Sequence, residues 1–156
     1  MSDALDNVTT MNQILSSLET GHSKIPLSKM DEFLMAFNLM MQQGTIPGFR
    51  NPEVRLEMLT TMLMNLARYF NKFTDLDYQA WFTEKLRFLL PGINGDLLQL
   101  IPLDLNFPSY KAIFGGLDQV YPELPEQTSR HIYDLMKMIM EGQLNVSGHN
   151  FMNIKQ

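Results

Sequence analysis

The chain has no cysteine, which excludes a disulfide scaffold, a thiolate metal site and a cysteine nucleophile together. It also has little charge. Asp, Glu, Lys and Arg make up 19% of it, with 12 basic against 17 acidic residues and a net charge of −5. Nowhere do Lys and Arg cluster, and such clusters are what hold nucleic acid or anionic lipid, so no nucleic-acid partner is expected. No run approaches the roughly 18 apolar residues of a membrane-spanning helix, so no membrane insertion is expected either. The opening Met1-Ser2-Asp3-Ala4-Leu5-Asp6 is acidic and lacks the apolar centre of a signal peptide. A secreted origin would make this chain an internal piece of a larger protein. A convincing strand pattern is missing as well. Leu103-Asp104-Leu105-Asn106-Phe107 alternates, but prolines bound it, and it reads as an extended connector.

What the chain does have is apolar residues, 45% of 156, enough for one domain with a substantial core. They recur at three- and four-residue spacing, the period of amphipathic helices. Thr9 or Thr10 is placed to cap a short first helix with Met11, Ile14, Leu15 and Leu18 on its inner face. Ser28, with Asp31 three residues on, is placed to start a second helix that ends at Gly44. Asn51-Pro52-Glu53 is a strong start signal for the longest helix, to about Asn71. Thr74 and Asp77 form a capping-box pattern, and Pro91-Gly92 breaks the helix that follows. Asn94 is placed to cap a short helix, Pro108 opens one to about Val120, and Pro125 opens the last. The last helix presents His131 or Ile132, Leu135, Met136 and Ile139 inward and ends at Gly142. The expectation is an all-α domain of six or seven short amphipathic helices, as stacked α-solenoid-like pairs or a compact bundle. Residues 1–8 read as a flexible lead, 9–142 as a single helical domain and 143–156 as a flexible tail. Within the helix after Pro108, Gly115-Gly116 is read as a close helix–helix approach.

Chemistry-bearing patterns are sparse. His22, His131 and His149 have no partner at metal-ligand spacing. No GxSxG elbow or phosphate-binding glycine loop occurs, and Ser147-Gly148-His149 lies in the expected tail. The acidic pairs Asp31/Glu32, Asp75/Asp77 and Glu123/Glu126 fall at expected helix starts, where the helix dipole favours carboxylates. No catalytic residue, metal or cofactor is therefore assigned. The compositional surplus is methionine, thirteen in all, a flexible side chain that fills irregular cores and lines adaptable grooves. The adjacent aromatics Tyr69-Phe70 and Trp81-Phe82 point about 100° apart on a helix, so each pair can serve a core and a second surface. Tyr69, Trp81, Phe82, Met40 and Met41 are the candidates for an interaction surface. Asn7-Val8-Thr9 and Asn145-Val146-Ser147 are glycosylation sequons, making Asn7 and Asn145 candidate acceptors.

One stretch carries a family pattern. Trp81-Phe82-x-x-Lys85-Leu86-Arg87-Phe88-Leu89-Leu90-Pro91 is followed by Leu97-Leu98-x-Leu100-Ile101-Pro102. Then come Pro108-Ser109-Tyr110-Lys111-Ala112-Ile113, Gly116-Leu117-Asp118-x-Val120-Tyr121 and Ile132-Tyr133. This order resembles a helical module of large vertebrate extracellular proteins related to stereocilin and mesothelin. One position departs: the family often has a cysteine before the Ser-Tyr pair, where this chain has Pro108. The resemblance implies a superhelical-repeat fold in an extracellular or cell-surface protein with an adhesive or structural role. It implies no catalytic residues, and partners that are proteins or neighbouring modules. Without the resemblance, the residues alone fit an alternative: a cytoplasmic helical binding module whose Met-lined groove accepts an amphipathic helix.

Overall fold

The computed structural model describes residues 7–19, 24–45, 48–49 and 51–146, the last four by backbone only. Among these residues there are seven α-helices and no strand. They are α1 (Val8–Ser17), α2 (Leu27–Gln42), α3 (Pro52–Leu66), α4 (Asp75–Gln79), α5 (Gly95–Leu98), α6 (Phe107–Gln119) and α7 (Glu126–Val146). Two of them change pitch without breaking. The α3 helix tightens into a 3-10 segment over Ala67–Lys72, and α4 widens into a π-helical segment over Ala80–Lys85.

The helix starts follow elementary capping chemistry. Asn51, Asn94 and Asn106 each accept a backbone N–H of the first turn, from Glu53, Leu97 and Ser109. Thr74 and Asp77 close a reciprocal capping box. Each such cap satisfies amide donors that a helix end otherwise leaves open, at about 1 kcal/mol apiece. Two starts differ from expectation. The α1 cap is Asn7, whose Oδ1 accepts from Thr10 N at 3.1 Å, rather than Thr9 or Thr10. The α2 helix begins one residue before Ser28, after Pro26, whose ring-fixed φ of −62° leads in without a side-chain cap. At its other end Gly44 takes φ +74°, a left-handed exit that glycine adopts at least cost.

The ends of the domain also move. Helix α7 runs past Gly142 to Val146, so that glycine lies within a helix rather than closing it. The expected lead thus reaches into α1 and the expected tail into α7. Residues 1–6 and 147–156 lie outside the described residues, as does His22.

One apolar cluster joins every helix. Contacts run mainly between next-but-one elements: α1 on α3, α4 and the π segment on α6, and α5 on α7. Helix α3, at 15 residues, is not the longest helix it was expected to be, since α7 has 21; it nonetheless buries Val54, Met58, Leu59, Met62, Leu63 and Leu66. Each such side chain contributes about 1.5–3 kcal/mol by leaving water. Asn65 on α3 ties in the linker between α1 and α2, accepting from Ile25 N at 2.9 Å while donating to Thr61 O at 2.8 Å. Around the π segment, Phe70, Phe73, Tyr78 and Phe82 form an aromatic knot with ring centroids 5.2 to 6.5 Å apart.

The tightest fit is between α6 and the π segment. Gly116 lies against the Phe82 backbone so closely that a Cβ there would meet the Phe82 carbonyl carbon at 2.7 Å and its Cβ at 2.9 Å. Gly115, one residue earlier, faces open space. Gly116→Ala is therefore expected to cost at least about 2 kcal/mol, because backbone must move. Gly115→Ala is expected to add about 0.5–1 kcal/mol through helix propensity. Chemical denaturation of the two variants reads the opposite signs.

Buried hydroxyls pin the connector before α6. Tyr110 donates from its hydroxyl to Pro102 O at 2.6 Å and accepts from Leu105 N at 3.2 Å. Tyr78 donates to Phe70 O at 3.3 Å. Burial pushes the Tyr78 phenol up to about 12, with Tyr110 and Asp104 adding to the effect, and burial raises Tyr110 as well. Folding thus favours the protonated phenols. The Tyr78 contribution is complete below pH 10 and is lost as pH climbs from about 10 to about 12. Tyr78→Phe should flatten that alkaline loss while lowering neutral-pH stability by about 0.5–1 kcal/mol for the missing hydrogen bond. Urea titrations at pH 7 and across pH 10–12 check both.

Candidate interaction surface

Two of the five residues singled out for an interaction surface lie inside the protein. Trp81 and Phe82 are buried, at 3% and 0% exposure, which corrects their assignment to a surface. Phe82 is held in the aromatic knot under Gly116. Trp81 is roofed by Lys85, whose Nζ sits 4.5 Å above the ring centroid and 2.9 Å from Asp31 Oδ1 on α2. Asn38 on α2 completes the junction, its Nδ2 donating to Lys85 O at 3.0 Å. Both burials follow from the packing of this segment against α2 and α6 at once. Tyr69 is half-buried with the Arg68 guanidinium 5.4 Å from its ring. Met40 and Met41 are half-buried, and Met41 packs on the core.

The remaining candidates have structural roles or fall elsewhere. Asp31 holds Lys85, Asp77 belongs to the capping box, and Glu126 pairs with Arg130 at 2.8 Å. His131 is exposed, its ring lying so close to Gly95 that a Cβ there would meet Nδ1 at 2.5 Å. His149 and Ser147 are outside the described residues. Among the described residues no group of three or more His, Asp or Glu is placed to hold a metal ion. Asn7 is exposed while serving as the α1 cap. The Asn145 backbone lies within α7, and its side chain is outside the described set.

The methionines divide. Met11, Met30, Met58 and Met62 are buried, at 3% exposure or less. Met35, Met64, Met136, Met138 and Met140 are exposed. Three of these five are on α7. That helix buries Thr128, Ile132, Leu135 and Ile139, and Thr128 Oγ1 donates to Ile93 O at 3.3 Å to fix its start. Beside that buried row, about 100° round the axis, Tyr133, Met136 and Met140 form a second row with exposures of 67%, 41% and 63%. Met136 thus belongs to the solvent side, not to the inner face expected of it. The missed signal was quantitative: α7 carries more large apolar residues than one core-facing stripe can bury.

The N-terminal end of this row opens into a cleft of about 390 Å³ lined by Tyr121, Glu126, Ser129, Arg130, Tyr133 and Asp134. Tyr121 is itself 55% exposed. Large apolar groups in a row on one exposed helix face, rimmed by charge, are the chemistry of protein contact surfaces.

No protein-family model, no curated protein and no solved structure matches the chain.

Burial separates the two aromatic positions sharply. Trp81→Ala should cost about 3–5 kcal/mol through the cavity it leaves. Tyr133→Ala should stay within about 0.5 kcal/mol. Thermal unfolding of both variants measures the contrast.

Proposed function

We propose that the protein is a non-catalytic helical module that binds another protein chain through α7. The observation that carries this reading is the exposed Tyr133–Met136–Met140 row, continuous with the Tyr121/Tyr133 cleft. Leaving such side chains in water forgoes burial energy, and a partner that covers them recovers it. The carboxylates Asp31, Asp77 and Glu126 are engaged in pairing or capping, which supports a structural rather than a catalytic use of them.

The setting proposed is an extracellular or cell-surface protein with an adhesive or structural role. It is supported by the resemblance to the stereocilin- and mesothelin-related module and by the two sequons, of which Asn7 is exposed. No described helix is long and apolar enough to cross a membrane. The same α7 row equally serves the second reading, a cytoplasmic module for an amphipathic helix.

A photo-crosslinking residue at Met140, introduced into the protein in its native setting, tests the binding reading. A crosslink to one defined protein chain is expected, lost in Met136→Glu while the thermal midpoint is unchanged. A crosslink that survives Met136→Glu, or none at all, overturns it. Mass spectrometry of chain secreted from eukaryotic cells tests the setting: a glycan on Asn7 supports it, and a native cytosolic unmodified chain contradicts it.

A further inference from the structure

Resting on the α7 reading, we infer that the partner is an amphipathic helix whose apolar stripe is flanked by acidic residues. In heptad terms Tyr133 and Met140 occupy one core position of α7 and Met136 the other, the seam on which a second helix seats. On the core side this seam is bounded by Ile132 and Ile139, both buried within the protein itself. On the open side the next row is Arg130 and Lys137. Helix pairing is chosen by the charges that flank the seam, and here the flanking pair is basic in a chain that is acidic as a whole. The α7 carboxylates Asp134 and Glu141 sit one row further round, and Asp134 also lines the cleft beside Tyr133 at the seam's N-terminal end. Glu126, at the seam's N-terminal end, is paired with Arg130 at 2.8 Å, but both are largely exposed, at 81% and 75%. Such an exposed pair holds weakly and exchanges readily for a better-placed carboxylate.

A second copy of α7 does not meet this requirement. Antiparallel pairing that sets Tyr133 against Met136 of a copy brings Arg130 beside the copy's Lys137, like against like. Parallel pairing sets Lys137 beside the row of Ile132, which is already buried. Neither offers a carboxylate to the basic row.

The probe is a labelled three-heptad synthetic helix with Leu at both core positions and Glu at the flanking positions, compared with its Lys-flanked counterpart. Fluorescence anisotropy is read on the full chain at low and high salt. The Glu-flanked helix is expected to bind at least about tenfold tighter, with the preference weakening in salt. Arg130→Glu with Lys137→Glu should reverse the preference while circular dichroism and thermal midpoint stay unchanged. Equal affinity for both helices, abolished by Met136→Glu, removes the acidic flank but leaves the α7 contact standing. Binding of neither helix, or dimerisation of the chain through Met136 in sedimentation, overturns the inference, whereas the Met140 crosslink decides the broader reading independently.

Discussion

The structure turns on the contact between Gly116 and the backbone of Phe82. Only a residue without Cβ lets α6 come this close, since an added carbon would lie 2.7 Å from the Phe82 carbonyl carbon. That closeness lets the α4–π segment lodge between α6 on one side and α2 on the other. Phe82 is then enclosed with Phe70 and Tyr78, and Trp81 is driven under the Lys85–Asp31 pair. Two adjacent bulky aromatics are buried at once, which a regular surface helix with a single apolar stripe does not achieve. The wider π turn is the local cost of that arrangement, and Asn38 meets part of it by donating to the carbonyl of Lys85 at the segment's end.

Much of this was legible in the sequence. The all-α architecture followed from periodicity, and Asn51-Pro52, Thr74 with Asp77, and Asn94 marked helix starts that the structure contains. The reading of Gly115-Gly116 as a close approach holds for Gly116 alone. Spacing cannot say which of two neighbouring glycines faces the other helix, because that depends on the rotation of α6 as docked. Asn7 and Asn106 cap helices that Thr9/Thr10 and Pro108 were expected to open, shifts of one to three residues at helix ends, where boundaries are least fixed.

The surface was legible only in outline. A surplus of methionine and paired aromatics pointed to something beyond a plain core, but not to where it lies. Neighbours on a helix point about 100° apart, so Trp81 and Phe82 were read as serving a core and a second surface, and that second surface is covered within the chain because the segment packs against both α2 and α6. Met136 was placed inward because it shares spacing with Leu135 and Ile139, yet α7 is covered chiefly by the short helix α5. Four residues, Gly95–Leu98, cannot shield both rows of a helix of 21. The exposed row is thus a consequence of which element lies over α7, information that no local pattern in α7 contains.

The central claim is that the methionines serve two physical ends, with one set closing the core and another exposed, three of its members on α7. Limited peroxide oxidation followed by residue-resolved mass spectrometry tests it directly, since thioether oxidation follows solvent access. Met136, Met138 and Met140 should be converted quickly, with Met11, Met30, Met58 and Met62 protected until the protein unfolds. Slow, uniform conversion across both sets would place the α7 row inside a core and contradict the account.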